Sequence, residues 1–255
     1  MSKRRKFVLA AILLALGLLS TQYVSINLRY AAIGVFGVLA YFVSVWALYE
    51  DLGKVGWVSV VPLPAMYAVS VALFYFLLPE KVLSRVVIVG LFGLGMYALY
   101  LTGNIFLVAA VRTIQLLRAA QAVGFLLTLL TGVLFYNTIY SLRLPFWENG
   151  VLVLLVSLTL MLPALWSVNL PERIEKDLLV TAGGLGSVLM MLAMAISFLP
   201  LTVWVSSLFL ATGVYVGVGI MQNELSGRLF SRTLQEYVGV GVLVFLATML
   251  VTVWK

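Results

Sequence analysis

Nine runs of apolar residues, each long enough to cross a lipid bilayer as a helix, occupy most of this 255-residue sequence. A helix needs about 20 apolar residues to span the hydrocarbon core. The alternation of apolar and polar residues that is typical of membrane-spanning strands is missing from these runs. The sequence therefore predicts an all-α fold, a polytopic transmembrane helical bundle of nine spans. The predicted spans are Phe7–Ser25, Tyr30–Tyr49, Val55–Leu78, Val86–Val111, Ala119–Ser141, Trp147–Ser167, Leu178–Leu199, Leu201–Met221 and Tyr237–Trp254.

The composition excludes a water-soluble globule. Hydrophobic residues make up 64% of the chain and charged residues 10%, whereas soluble domains average about 45–50% and about 25%. Too little polar surface would remain to cover a soluble fold of this size. Disorder requires low hydrophobicity and high charge, so an unfolded chain is excluded as well.

The basic segment 1–6 is followed directly by the first apolar run. This order also fits a secretory signal peptide, and cleavage would leave eight spans. Signal cleavage requires small residues of the A-x-A kind, which Leu18–Ser25 provides poorly. We therefore expect the first span to be retained, with residues 1–6 as a basic cytoplasmic N-terminus.

The distribution of basic residues predicts the orientation. Cytoplasmic loops of membrane proteins carry an excess of Lys and Arg. With the N-terminus inside, most of the 16 Lys and Arg residues fall on the inner side. The sequence therefore predicts a multi-pass protein of the cytoplasmic (inner) membrane with its N-terminus inside and its C-terminus outside. The basic residues that then fall outside are Arg29, Lys81, Arg85, Arg143 and Lys255.

No linker rich in Pro, Gly or Ser divides the chain, so residues 1–255 are expected to form a single integral membrane domain. The longest predicted loop, 222–236, combines Arg228 and Arg232 with apolar residues at helical spacing. This pattern predicts a short cytoplasmic amphipathic helix at the inner leaflet. A weak similarity between 32–104 and 122–186 leaves an inverted repeat open as an alternative.

Two patterns resemble helix caps with a reciprocal acid, Asn169 with Glu172 and Thr233 with Glu236. The first predicts a helix that starts near Leu170.

The fourth span leaves two alternatives open. It could be one long tilted helix, or it could end near Leu101 with Ile105–Arg118 lying in the interface.

The residue types that carry most catalytic and metal chemistry are missing. The chain has no Cys and no His, which removes thiol nucleophiles, imidazole bases and the usual zinc sites. No ionisable residue lies near the middle of a predicted span, which argues against transport through buried carboxylates. The adjacent acids Glu50 and Asp51 are expected to form a solvated helix end. We therefore predict no catalytic residue, no metal site and no cofactor, and enzymatic activity is only a third hypothesis.

Arg112, Gln115 and Arg118 recur at every third position and would form a stripe on one helical face, which Gln121 continues. Two guanidinium groups in a partly dry groove can bind a phosphate through paired hydrogen bonds. The stripe is therefore a candidate site for an anionic headgroup or ligand. The alternative is anchoring under the positive-inside rule by side chains that snorkel to the interface.

The fourth and fifth spans are the most polar. Their hydroxyl and amide groups could line a solute cavity, or they could only hydrogen-bond between helices. Pro62, Pro64 and Pro163 interrupt the third and sixth spans, and such breaks are tolerated beside protein or a cavity. The candidate cavity-lining residues are Asn104, Thr128, Thr131, Asn137 and Tyr140.

These features favour a small permease-type or lipid-handling protein for a neutral or anionic amphiphile. The alternative is a non-catalytic subunit or scaffold of a larger membrane complex, because the pairs Gly213 with Gly217 and Ala182 with Gly186 form small-residue seams. Such seams suit a homo-oligomer as well as internal packing. The net charge of +7 is spread over short loops, which predicts anionic lipids of the cytoplasmic leaflet, rather than nucleic acid, as partners.

Overall fold

The computed structural model describes residues 2–21, 23–25, 28–53, 55–78, 82–111 and 115–253, and every regular element within them is helical. A short 3-10 turn, Tyr49–Asp51, follows the second helix. The helices are α1 Lys3–Thr21, α2 Arg29–Leu48, α3 Gly56–Ser59, α4 Pro62–Tyr75, α5 Val82–Ala109, α6 Leu117–Ser141, α7 Phe146–Asn169, α8 Lys176–Ile196, α9 Val203–Leu225 and α10 Ser231–Val253.

Within the described residues, eight helical segments are long and apolar enough to cross a membrane. They are α2 and α5 to α10, together with α3 and α4 taken as one segment. Their outer faces carry large apolar side chains, such as Leu91 at 61% exposure and Val180 at 73%. Faces of this kind suit contact with lipid rather than water. The chain is therefore an all-helical, multi-pass membrane protein by the length and composition of its helices.

The chain forms two compact units, Met1–Thr131 and Gly132–Lys255. The boundary lies inside α6, which runs without interruption from Leu117 to Ser141. A boundary within a helix has no Pro-, Gly- or Ser-rich signal in the sequence. The predicted single domain stays a prediction.

In the first unit, α1 packs against α2 and α5. Phe7, Leu14 and Leu18 form its buried face. The ring of Phe7 lies 6.0 Å from that of Tyr100 in α5. Basic residues fill the first turn of α1, so its apolar part, residues 7–21, is shorter than that of the other long helices.

Two ion pairs join the start of α1 to the end of α2. Lys3 Nζ lies 2.9 and 2.7 Å from the two carboxylate oxygens of Asp51, and Lys6 pairs with Glu50. The acids are partly exposed, as a solvated helix end would be. They are nevertheless paired rather than free, because the basic first turn of α1 lies beside them.

In the second unit, α7 and α8 pack closely, as the small-residue seam with Gly186 predicts. A Cβ atom at Gly186 would lie 3.0 Å from Leu154 Cδ1 in α7. A Cβ atom at Gly150 would lie 2.6 Å from Met194 Cε in α8. A side chain at either position would require Leu154 or Met194 to shift, so the two glycines allow the helices to pack closely.

Neither of the two predicted helix caps, at Asn169 and Thr233, lies at the start of a helix. Asn169 is the last residue of α7, and the C-cap residue Leu170 has the left-handed conformation with φ of 48°. The indole Nε1 of Trp166 donates to Pro171 O at 3.1 Å across this turn, and the next helix begins at Lys176. Thr233 lies inside α10, which begins two residues earlier.

The predicted amphipathic helix over 222–236 is wrong. Its first residues complete α9 and its last residues begin α10, so that a short turn, 226–230, remains. The turn closes α9 through Gly227, whose φ of 65° suits glycine. Gly227 N donates to Glu224 O at 2.9 Å and Arg228 N to Asn223 O at 2.8 Å, which is a Schellman motif.

The two alternatives for the fourth span are resolved in favour of a long helix. α5 continues through the polar residues Thr102 to Asn104 as far as Ala109. The third span is interrupted by its prolines, because α4 begins at Pro62 after the four-residue helix α3. Pro163 lies within α7.

Candidate functional site

Gln115 and Arg118, the two described residues of the predicted stripe, do not lie on one helix. Arg112 lies outside the described residues, Gln115 is exposed in a turn, and Arg118 is exposed in the first turn of α6. α5 ends at Ala109 and α6 begins only at Leu117, so the three-residue spacing crosses a break between helices. The proposed contact of these residues with an anionic headgroup stays a prediction.

The five candidate cavity-lining residues are divided between the two units. Asn104 of α5 belongs to the first unit. The buried Thr128 and Thr131 of α6 belong to the same unit. Both threonines donate to carbonyls of their own helix, Gly124 at 2.9 Å and Leu127 at 2.7 Å. Asn137 and Tyr140 belong to the second unit.

Tyr140 takes part in a polar cluster that joins α6, α7 and α8. Its hydroxyl donates to Ala193 O of α8 at 2.7 Å, and Ser197 Oγ donates to the same carbonyl at 2.8 Å. Asn149 Nδ2 of α7 donates to Ser197 Oγ and to Leu144 O, each at 3.2 Å. Sequence analysis missed Asn149, because an amide in the first turn of a span looks like an ordinary interfacial residue.

Two amide atoms in this region are buried without a hydrogen-bond partner. They are Asn149 Oδ1 and Asn137 Nδ2, and each residue is only 4% exposed. An unpaired buried polar atom costs about 1–3 kcal/mol. The ends of α6, α7 and α8 therefore form an uncharged polar region with unused hydrogen-bonding capacity.

A separate, apolar cavity of about 270 Å³ lies in the second unit between α8, α9 and α10. Its one polar side chain is Thr212, whose hydroxyl donates to Leu208 O at 2.8 Å. A cavity without free polar groups does not retain water and suits a hydrocarbon. Its lining residues are Met161, Leu185, Val188, Leu189, Leu192, Phe209, Thr212, Gly213, Val216, Gly217, Gly241, Val244 and Phe245.

Three glycines line this cavity. Gly213 and Gly217 leave one face of α9 without side chains, and Gly241 does the same in α10. A Cβ atom at Gly213 would lie 2.6 Å from Leu189 Cδ2, and one at Gly217 would lie 3.0 Å from Leu185 Cδ2. The predicted small-residue seam of α9 therefore brings α8 close. From Phe209 to Gly217 the cavity follows α9 for about 12 Å, at ~1.5 Å per residue.

A second, smaller pocket of about 70 Å³ includes Glu175 and Asp177 among its lining residues. Over the part of the chain that the structure describes, no three His, Cys, Asp or Glu side chains come together in a way that could hold a metal ion.

Residues 46–251 match the model of a family described as protein of unknown function, DUF5656. The matched region includes every residue that lines the apolar cavity and the polar cluster around Tyr140. No curated protein and no solved structure matches the chain.

Proposed function

The chain belongs to the DUF5656 family of proteins of unknown function, and we propose that it is a lipid-handling membrane protein that binds the apolar part of an amphiphile in its second unit. The apolar cavity between α8, α9 and α10 is the observation that carries this proposal. A site for a water-soluble solute would need polar or charged lining groups.

The size of the cavity supports a hydrocarbon ligand. An apolar cavity of about 150 Å³ already holds a molecule such as benzene, and this cavity has about 270 Å³. Its length of about 12 Å along α9, at ~1.5 Å per residue, suits a segment of one extended chain better than a compact solute. The headgroup of a bound amphiphile would stay outside the cavity, because no charged residue lines it.

Filling the cavity tests the proposal. A Cβ atom at Gly241 would lie 3.4 Å from Val216 Cγ2, so Gly241→Leu can be accommodated while its side chain occupies the cavity. Gly239→Leu is the matched control, because a Cβ atom at Gly239 meets nothing within 4 Å and Gly239 is not part of the lining. Both substitutions add the same side chain to α10, two residues apart.

We expect delipidated wild-type protein to retain one added phosphatidylglycerol or phosphatidylcholine molecule in native mass spectrometry. The leucine side chain would occupy the space of the hydrocarbon, so Gly241→Leu should weaken retention by about tenfold or more, or about 1.4 kcal/mol. Gly239→Leu should behave like the wild type. Equal retention by Gly241→Leu and the wild type would contradict the proposal.

The proposed topology has nine spans, with α1 as the first and the N-terminus in the cytoplasm. The buried face of α1 and its ion pairs with Asp51 and Glu50 support a retained span. Gln115 and Arg118 would then face the inner leaflet, where their exposure allows contact with anionic lipid.

A second candidate function is that of a non-catalytic subunit in a larger membrane assembly. The outer face of α8 favours it, because Cβ atoms at Gly183 and Gly184 would meet nothing within 4 Å. Small residues on an open face allow another helix to approach closely. If this face binds another chain, Gly184→Leu should reduce the mass of the particle extracted in mild detergent, and an unchanged mass would argue against this function.

A further inference from the structure

We propose that the cavity receives its hydrocarbon chain sideways from the bilayer, through the cleft between α8 and α10, and that α10 is the wall that moves. This inference rests on the proposed function, because it assigns the source of the ligand for the same cavity. The substrate class would then be lipids whose hydrocarbon chains lie in the bilayer, rather than solutes that enter from water.

The wall formed by α8 is fixed. α8 packs along α7, where Gly150 and Gly186 allow close approach, and along α9, where Leu189 fits against Gly213. The bond from Tyr140 to Ala193 O also ties α8 to α6. Widening the cleft on this side would break contacts with three helices.

The wall formed by α10 is held by far fewer contacts. Its packing is against α9, and only 6% of its most apolar stretch is buried. It contributes Gly241, Val244 and Phe245 to the cavity. The cavity is partly open between α8 and α10, and displacing α10 would widen this opening at small cost because few contacts hold the helix.

The first turns of α10 are fixed to α9. The ring of Tyr237 lies against Gly219, and its centroid is 5.0 Å from that of Tyr215. Asn223 Nδ2 also donates to the Tyr237 hydroxyl at 3.5 Å. Farther along the helix, at the level of the cavity, Gly241 faces Val216 and has no side chain that could hold α10 against α9. A swing of α10 about Tyr237 would open the cleft from the cavity outwards.

The two edges of the cleft are apolar. Val188 of α8 is 54% exposed and Phe245 of α10 is 48% exposed, and both side chains line the cavity. Side chains of this kind at membrane depth contact lipid chains. A hydrocarbon chain can therefore pass from the bilayer into the cavity without crossing a polar surface.

A disulfide that locks α10 onto α9 tests this route. The chain contains no Cys, so Val216→Cys with Gly241→Cys introduces a single reversible cross-link beside the cavity. The control lock is Gly37→Cys with Val69→Cys in the first unit, where a Cβ atom at Gly37 would lie against Val69 Cγ2. Both locks join a glycine and a valine on neighbouring helices.

The measurement is exchange of a bound deuterated phosphatidylcholine for the unlabelled lipid, followed by native mass spectrometry. Oxidised Val216→Cys/Gly241→Cys should exchange about tenfold more slowly than the same protein after reduction, because a closed wall limits ligand entry and exit. The control lock should exchange equally fast in both states. Equal rates for the oxidised and reduced cavity lock, with lipid bound in both, would overturn the lateral route. Failure of every form, wild type included, to retain lipid would overturn the proposed binding function and the route with it.

Discussion

At the scale of single residues, the second unit places hydrogen bonds where lipid would otherwise leave polar groups without partners. Tyr140, Asn149 and Ser197 converge near the carbonyl of Ala193 and join three helices. None of these side chains carries a charge, so the cluster avoids the cost of burying an ion. Its unpaired atom, Asn149 Oδ1, is an acceptor that a hydroxyl group could satisfy.

The bond from Tyr140 to Ala193 O should contribute measurably to stability. Interhelical hydrogen bonds in membrane proteins are worth about 0.6 kcal/mol on average, and about 1.7 kcal/mol at most. Tyr140→Phe should therefore lower the free energy of unfolding by about this amount, measured by denaturant titration in detergent. Tyr30→Phe is the control, because Tyr30 is 67% exposed. Equal stability of the two variants would show that the bond contributes nothing.

At the scale of helices, the sequence predicts that a helix is present more accurately than it predicts the residues at which the helix begins and ends. The sequence predicts the fifth span as Ala119–Ser141, and in the structure this helix is Leu117–Ser141. The ends around Asn169 and Thr233 were wrong, because a left-handed turn at Leu170 and an early start at Ser231 override the local capping pattern.

The candidate site could be predicted only in part. Tyr140 stands out as a polar residue in an apolar run, and the structure gives it a partner in α8. The apolar cavity has no signal of this kind. It depends on how α8 and α10 flank the glycines of α9, and helix positions of this kind do not follow from the order of residues.

The ion pairs of α1 give a test at this scale. Lys3→Asp should lower the melting temperature of the detergent-solubilised protein, since it places like charges beside Asp51. Asp51→Lys should do the same, and the double variant Lys3→Asp/Asp51→Lys should recover most of the loss. Each effect should be modest, about 1 kcal/mol, because both side chains are partly exposed. Additive losses in the double variant would mean that α1 does not pair with the end of α2.

At the scale of the whole molecule, the ion pairs of the first unit bear on the proposed topology. A cytoplasmic N-terminus places the end of α2 on the cytoplasmic side as well, after one crossing in each direction. Lys3 and Lys6 can pair with Asp51 and Glu50 only if both ends lie on the same side. The ion pairs therefore support a first helix that crosses the membrane, and they fit an orientation with the N-terminus inside.

Site-directed labelling tests this orientation, and the structure decides where labels can be placed. Asn149 is unsuitable for a labelled cysteine because it is only 4% exposed. Gly227 is unsuitable because its φ of 65° would strain any other residue. Leu142 is 42% exposed in the turn after α6, and Ser226 is exposed in the turn after α9. Since the chain has no Cys, Leu142→Cys should react with a membrane-impermeant maleimide in intact cells, whereas Ser226→Cys should react only after permeabilisation. The opposite pattern would reverse the proposed orientation. Labelling of both positions in intact cells would mean that the two turns lie on the same side of the membrane. That result would contradict the proposed number of crossings between them.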